Sequence, residues 1–314
     1  MAVNGKTSDI PKFHDVGILG LPFNKGQPKP GVKYGPEEIR KANLTEGIKD
    51  LERDVKDYGD VLFDDIEDDP PHNGVKNPRN VGNANKKISD AVSQVIQDGR
   101  LCISLGGDHS VAIGTIHGHL KAQPNTCVLW IDAHADINTP LTSPSGNIHG
   151  MPLSFLIHEL RDSVKDVPGF DWLSPCIHAK DVAYIGARDV DSGEKKTIED
   201  LGMKCFSVRD VDILGLKEVL KGVMNAINPN NDKYYHISFD IDALDPTVAY
   251  STGTKAYGGL TSREGMYIVE EVWRTGKLSG IDMVEVNPTL GGDIEKEVTV
   301  NTAVEVLLAA LGKR

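Results

Sequence analysis

The sequence predicts a single α/β domain over residues 1–314, with a doubly wound, mainly parallel central sheet and helices on both faces. Three observations support this. Short apolar runs typical of buried strands recur along the chain, and segments with helical spacing lie between them. In addition, four of the apolar runs lead into acidic residues or histidines. Alternating strands and helices are typical of parallel sheets, and ligands bind outside the carboxyl ends of such strands.

The strand and helix predictions follow from the apolar spacing and from capping signals. The predicted strands span 16–21, 55–58 (a weak candidate), 101–105, 128–131, 182–185, 204–208, 235–239 and 280–284. Most of these runs are short and apolar, as expected for strands buried on both faces. Helices are predicted from Gly35-Pro36 onward, over 83–98, after Ser110, over 261–275 and over 299–311. The helix at 261 opens with a capping box formed by Thr261 and Glu264.

Composition excludes several classes of protein. The net charge of −12 disfavours binding to nucleic acid phosphates and weakly favours a cationic substrate. No apolar run is long enough to span a membrane, and residues 1–15 are too polar for a secretory signal. The four cysteines form no CxxC pair, and Cys102 and Cys127 lie in strand-like runs, as free buried thiols do. We therefore expect a cytoplasmic protein with no nucleic acid or membrane partner.

Six side chains with metal-binding chemistry follow three of the predicted strands. They are His109, Asp132, His134, Asp136, Asp240 and Asp242. Because the carboxyl ends of parallel strands meet at one edge of a sheet, we expect these side chains to lie together. Four close carboxylates repel one another unless a cation neutralises them. Taken singly, each pattern has another interpretation: a solvated acidic loop at 132–136, or a structural histidine at 109.

The six side chains predict a hydrolytic metal centre. Carboxylates and imidazoles without a thiolate favour ions such as Mn²⁺ over a structural zinc site, and six ligands suit two of them. Two cations roughly 3.5–4 Å apart lower the pKa of a bridging water towards about 7. The residues therefore predict metal-activated hydrolysis, but they do not identify a substrate.

Three sequence motifs resemble the signatures of the ureohydrolase family, which comprises arginases, agmatinases and related guanidine hydrolases. They are GGDHS at 106–110, DAHAD at 132–136 and SFDIDALDP at 238–246. The segment NTPLTSPSGNIHG at 138–150 resembles the arginase version of a loop that binds the substrate α-carboxylate. The resemblance implies an arginase-like three-layer α/β/α fold and two Mn²⁺ per subunit. It also implies hydrolysis of L-arginine to L-ornithine and urea, a reaction of arginine metabolism and the urea cycle.

The resemblance also implies a role for each matching residue. One manganese would be held by His109, Asp132, Asp136 and Asp240, and the other by Asp132, His134, Asp240 and Asp242. The implied catalytic residues are Asp136 beside a metal-bridging hydroxide, His149 as proton shuttle or general acid, and Glu285 facing the guanidinium. The implied substrate contacts are Asn138, Ser143, Ser145, Asn147, Asp191, Glu194 and Thr254.

Two other functions stay open, and two positions depart from the family pattern. One alternative is agmatinase or another guanidine hydrolase of the same family, and the other is a catalytically silent metal-binding scaffold that regulates a partner. Tyr250 and Lys255 stand where prolines are usual in the family. Arg263 and Glu264 match residues at subunit contacts, so we expect a homo-oligomer, a trimer or alternatively a hexamer.

Overall fold

Eight parallel strands form one sheet in the computed structural model, which describes residues 15–313. They are β1 (Val16–Leu21), β2 (Val55–Asp60), β3 (Leu101–Gly106), β4 (Thr126–Ile131), β5 (Val182–Ala187), β6 (Lys204–Ser207), β7 (Tyr234–Asp240) and β8 (Leu278–Val284). Their order across the sheet is β2-β1-β3-β8-β7-β4-β5-β6. All eight predicted strands are confirmed, and every neighbouring pair is parallel.

Helices cover both faces of the sheet. They are α1 (Gly35–Lys41), α2 (Leu44–Asp50), α3 (Pro78–Gln97), α4 (Ala112–Ala122), α5 (Pro152–Leu156), α6 (Arg161–Val164), α7 (Ser192–Asp200), α8 (Val208–Leu214), α9 (Leu216–Ile227), α10 (Ser262–Arg274) and α11 (Asp293–Ala309). Helices α1, α2 and α8–α11 bury their apolar residues against one face, and α3–α7 bury theirs against the other. The predicted doubly wound, three-layer architecture is confirmed.

The observed helix bounds differ from the predicted ones mainly at N-termini, where the first turn is polar. Helix α3 begins at Pro78 and not at 83, because a proline is well suited to the first helical position. Helix α11 begins at Asp293 and not at 299, and its first turn carries Asp293 and Glu295, which the helix dipole favours. Helices α2 and α5–α9 were not predicted, although the buried residues of α9, the longest of them, have helical spacing. At α10 the predicted capping box of Thr261 and Glu264 is present.

The strand order brings distant parts of the chain to one edge of the sheet. Strands β8 and β7, late in the sequence, lie between β3 and β4. The segments that follow these four strands therefore emerge side by side at their carboxyl ends. Gly107 makes the tight turn after β3 feasible, since a Cβ there would collide with the main-chain carbonyl of Phe23. The N–H of Asp108 donates to that same carbonyl, at 3.0 Å, and so fixes the turn that carries His109.

Two predictions from composition can be compared with the structure. Cys102 and Cys127 are buried and free, as expected. Within residues 15–313, no helix is both long and apolar enough to cross a membrane. The prediction that no secretory signal is present concerns residues 1–15, of which 1–14 lie outside the described part of the chain.

Candidate active site

His109 lies at the centre of the predicted cluster of ligands. Its Nδ1 atom is 3.1 Å from Asp132 Oδ2, 3.0 Å from Asp136 Oδ2 and 3.3 Å from Asp240 Oδ2. That nitrogen is buried and makes no hydrogen bond, while Nε2 lies 2.9 Å from Ser238 Oγ. With Nε2–H donating to Ser238, the lone pair of Nδ1 faces three carboxylates. Such an arrangement fits a cation held among them.

A second group of ligands adjoins the first. His134 Nδ1 is 3.3 Å from Asp132 Oδ1 and 3.3 Å from Asp242 Oδ2. The side chains of His109, Asp132 and Asp240 could hold one cation, and those of Asp132, His134 and Asp242 another. Asp132 belongs to both groups through its two oxygens. A shared carboxylate is the arrangement expected for two cations a few ångströms apart.

The electrostatics of this cluster also fit cations. Burial raises the pKa of Asp136 to about 6, and repulsion from Asp132 adds to the effect. Burial and then repulsion from Asp242 and Asp132 raise the pKa of Asp240 far above its usual range. Burial opposes protonation of His134, but Asp242 and Asp132 outweigh it and raise the pKa of that imidazole. Carboxylates that crowd together in this way are stabilised when a divalent cation neutralises them.

Glu285 and His149 lie beside the cluster. His149 Nδ1 is 3.5 Å from Glu285 Oε1, and the pKa of His149 is raised because the Glu285 carboxylate outweighs its burial. Both Glu285 and Asp136 have positive φ, at 60° and 50°, in the left-handed region that few non-glycine residues adopt. Backbone strain of this kind is concentrated at functional sites, because the surrounding structure must enforce it.

A pocket opens above the cluster and contains most of the predicted substrate contacts. It is lined by His134, Asp136, Asn138, Ser143, Ser145, His149, Asp189, Asp191, Glu194, Asp240 and Thr254, together with Pro144 and Gly150. Thr254 Oγ1 donates to Asp242 Oδ2 at 2.9 Å, which joins the pocket wall to the cluster. Asn147 is the predicted contact that does not line the pocket. Its N–H instead donates to Ser145 Oγ at 3.2 Å.

Glu194 holds two segments of the pocket wall together. Its carboxylate accepts hydrogen bonds from the N–H of Ile137, at 3.1 Å, and from the N–H of Asp191, at 3.0 Å. Asn138, the residue after Ile137, donates from Nδ2 to Asp191 Oδ2 at 3.1 Å. Burial raises the pKa of Glu194 to about 7, with repulsion from Asp136 as the second cause. The two ends of the pocket wall are therefore fixed relative to each other.

Two residues near the site were not predicted. Asp189 lines the pocket, although turn chemistry was an equally good explanation of its sequence context. Asp108 is buried and accepts from the N–H of Gly26 at 2.9 Å and from the N–H of Ser110 at 3.0 Å. Its position inside the GGDHS motif was the available signal. Its role depends on Gly26, 82 residues away, which sequence spacing does not reveal.

Comparison with known proteins identifies the family. The model of the Arginase family matches residues 14–312. The chain belongs to the arginase family. Hepatic arginase of Aquarana catesbeiana is 52% identical over 299 residues, which cover 95% of this chain and 93% of the relative. Arginase-1 of Homo sapiens is 52% identical over 302 residues, covering 96% of this chain and 94% of the relative. The resemblance read from the sequence motifs is confirmed.

Solved structures of family members have the same fold. The arginase from Bacillus caldovelox superimposes with a TM-score of 0.86 and 36% identity, covering 96% of this chain and 99% of that one. The Entamoeba histolytica arginase in complex with L-ornithine gives a TM-score of 0.83 and 31% identity, covering 96% and 100%. The arginase-family fold therefore extends over nearly the whole chain.

Proposed function

We propose that this protein is an arginase that hydrolyses L-arginine to L-ornithine and urea with two Mn²⁺ ions per subunit. The observation that carries the proposal is the pair of imidazole–carboxylate groups that share Asp132 at the floor of a polar pocket. The family relationship supports the reaction type. The Homo sapiens relative is named Arginase-1, and the two proteins align over almost their whole lengths.

The residues of the cluster fit divalent cations. The imidazole of His109 presents a buried nitrogen without a hydrogen bond to three carboxylates. The proposed ligands are His109, Asp132, Asp136 and Asp240 for one ion and Asp132, His134, Asp240 and Asp242 for the other. Oxygen and imidazole ligands without a thiolate suit Mn²⁺. When bound, the ions provide Lewis-acid activation of a water molecule, which makes it nucleophilic at neutral pH.

The protein's own residues bind the substrate guanidinium and transfer protons. Glu285 offers a carboxylate to the guanidinium and orients its carbon towards the cluster, with a charge-assisted hydrogen bond. Asp136 accepts the proton that the attacking water loses as its oxygen bonds to the guanidinium carbon. His149 delivers a proton to the ε-nitrogen of L-arginine as the bond from that nitrogen to the guanidinium carbon breaks. Ornithine leaves as an amine, and the hydroxyl proton lost as urea forms goes to that amine. The 3.5 Å approach of His149 to Glu285 supports this, because the carboxylate favours the protonated imidazole.

The outer part of the pocket sets the length and polarity of the substrate. We assign Asn138 and Ser145 to the α-carboxylate, with Ser143 and Asn147 supporting that loop, and Asp191 to the α-ammonium. Glu194 keeps Asp191 and the 137–138 segment in place through its two hydrogen bonds. Thr254 stabilises Asp242. A substrate with both α-substituents fits this polar wall better than agmatine, which has no carboxylate.

We also propose that the protein is a cytoplasmic homo-oligomer, a trimer or alternatively a hexamer. Arg263, Glu264 and Tyr267 line a surface cleft together with Leu216, and the neighbouring Ile213 is 65% exposed. An exposed apolar patch with charged residues around it is typical of a subunit contact. Sedimentation velocity of the wild type and of a Glu264→Arg variant tests this assignment. Loss of the oligomer in the variant alone supports it.

Urea release from metal-stripped protein tests the proposed function. The protein is assayed with and without added Mn²⁺, on L-arginine and on agmatine in parallel. Mn²⁺-dependent urea from L-arginine alone supports the proposal. Release of urea from agmatine would be consistent with the proposed metal centre but would contradict the roles given to residues 138–149. No urea from either substrate would favour the silent scaffold.

A further inference from the structure

The side chain of Arg188, directly after β5, donates hydrogen bonds only to main-chain carbonyls. Its Nη2 donates to Asp242 O and to Ala256 O, both at 2.7 Å, and its Nη1 donates to Ala243 O at 3.0 Å. Longer bonds of 3.2–3.4 Å reach Gly186 O, Leu244 O and, from Nε, Ala256 O. The planar guanidinium thereby joins three segments of the chain: the end of β5, the turn after β7 and the loop segment at Ala256.

Within residues 15–313, the acceptors of this guanidinium are main-chain carbonyls and no carboxylate pairs with it, although it is partly buried. Burial lowers the pKa of Arg188 even though Asp242 and Asp132 favour its charge. Burying a charge without a counterion is unfavourable unless hydrogen bonds compensate. Here the compensation comes from main-chain carbonyls, of which those of Asp242, Ala243 and Ala256 accept the closest hydrogen bonds.

Two of the three segments that Arg188 joins are those that orient Asp242. One is the turn whose main chain carries Asp242 itself. The other leads from Thr254, whose hydroxyl donates to Asp242 Oδ2 at 2.9 Å, to Ala256. Gly259 confirms how closely these parts pack, since a Cβ there would lie 2.6 Å from Arg188 Nη2. Both the backbone of Asp242 and the partner of its carboxylate are thus fixed through one side chain.

We propose that Arg188 is a positioning residue that preorganises Asp242 for the cation held by Asp132, His134 and Asp242. The inference rests on the proposed metal centre and goes beyond it by assigning a role to a residue that contacts neither cation nor substrate. Within residues 15–313, the Arg188 side chain makes no hydrogen bond to the other group, which consists of His109, Asp132 and Asp240. Loss of Arg188 should therefore weaken one cation far more than the other.

Titration calorimetry of Mn²⁺ into metal-stripped Arg188→Lys and Arg188→Gln variants tests this. A lysine keeps the charge but lacks the planar fork that reaches three segments. We expect one Mn²⁺ to bind as in the wild type and the other about 10- to 100-fold more weakly, as for other residues that support metal ligands. At saturating Mn²⁺, kcat should recover while KM for L-arginine stays unchanged.

Arg53→Lys is the matched control. Arg53 is also buried and donates to a main-chain carbonyl, that of Leu311, at 2.9 Å. It should lower thermal stability without changing either Mn²⁺ affinity. Unchanged affinities in Arg188→Lys, or an equal loss at both ions, would overturn the inference. Amide hydrogen exchange adds a second measurement, with faster exchange expected at 242–244 in the variants. Binding is measured without substrate, so a wild type that binds two Mn²⁺ but releases no urea would contradict only the proposed reaction.

Discussion

The main-chain N–H of His109 donates a 2.8 Å hydrogen bond to Oε1 of Glu285, although 176 residues separate them in the chain. The two residues follow the neighbouring strands β3 and β8. A second hydrogen bond runs in the opposite direction, from the N–H of Glu285 to the carbonyl of Gly107, at 2.9 Å. The proposed guanidinium-binding carboxylate is therefore held in fixed register with the proposed metal ligand, even though Glu285 has a strained backbone.

Glu285→Gln should impair catalysis without removing the metal. Glutamine keeps an oxygen that accepts from the His109 N–H, but it has no charge to offer the guanidinium. A hydrogen bond between charged groups contributes about 1.5–3 kcal/mol, so kcat/KM for L-arginine should fall roughly 10- to 100-fold. Steady-state kinetics at saturating Mn²⁺ measure this, and calorimetry should give an unchanged metal stoichiometry. A variant with wild-type kcat/KM would contradict the assigned role.

Asp191→Asn should separate L-arginine from 5-guanidinopentanoate, the analogue of arginine without an α-ammonium. Asparagine is as good as aspartate before a helix, so α7 should stay intact, while the charge that faces the α-ammonium is lost. We expect kcat/KM for L-arginine to fall about 10- to 100-fold. The inhibition constant of 5-guanidinopentanoate, which keeps the carboxylate and guanidinium but has no α-ammonium, should change little. Equal losses for both ligands would show that Asp191 does not bind the α-ammonium.

The positions of the metal-ligand candidates were predictable because strand ends can be recognised locally. A short apolar run marks a buried strand, and all carboxyl ends of a parallel sheet meet at one edge. Asp132, Asp240 and His109 could therefore be brought together from sequence alone. Helix α9 was also within reach, since Val219, Leu220, Val223 and Ile227 repeat at helical spacing and are buried.

Other features depend on tertiary contacts that no local pattern records. The carboxylate of Glu194 accepts from the N–H groups of Asp191 and of Ile137, which lies 57 residues before Glu194, and nothing in the sequence around Ile137 indicates this. The side chain of Arg188 donates hydrogen bonds to main-chain carbonyls. Because every residue has such a carbonyl, the sequence does not indicate which residues accept these bonds. The left-handed conformation of Asp136 is likewise unexpected, because only glycine adopts it without cost.

The two departures from the family pattern, Tyr250 and Lys255, should stabilise the loop that carries Thr254. Lys255 Nζ lies 4.3 Å from the centre of the Tyr250 ring and donates to Thr252 O at 3.2 Å. Lys29 donates to the next carbonyl, that of Gly253. A cation–π contact and one hydrogen bond together are worth about 1–2 kcal/mol, so Lys255→Met should lower Tm by roughly 1.5–3 °C.

A double-mutant cycle isolates the contact between these two residues. Thermal unfolding is compared for the wild type, Lys255→Met, Tyr250→Leu and the double variant. We expect a coupling free energy of about 0.5–1 kcal/mol, and little change in kcat for either single variant. Strictly additive losses would mean that the ring and the ammonium act independently.

His119 should make the folded state sensitive to acid. It is fully buried, with Nδ1 2.8 Å from His236 Nδ1 and Nε2 2.8 Å from Ser279 Oγ. His236 in turn bonds to Asp282 Oδ2 at 2.9 Å, and Gly280 leaves the two rings room, since a Cβ there would lie 2.8 Å from His119 Nδ1. Burial, and next the electrostatic effect of the neighbouring His236, lower the pKa of His119 well below its usual value.

The sign of the effect follows from proton binding. Below about pH 6.5 the unfolded chain protonates this histidine and the folded protein does not, so stability is complete above that pH and is lost as the pH falls. Each pH unit should cost up to about 1.4 kcal/mol. Urea unfolding of metal-stripped protein between pH 7.5 and 5.5 measures the slope of the free energy of unfolding against pH. In His119→Gln this slope should be smaller, by an amount that corresponds to the uptake of up to one proton on unfolding. The exposed His158 supplies the control variant, His158→Gln, whose slope should match the wild type. An identical slope in His119→Gln would mean that the acid sensitivity arises elsewhere.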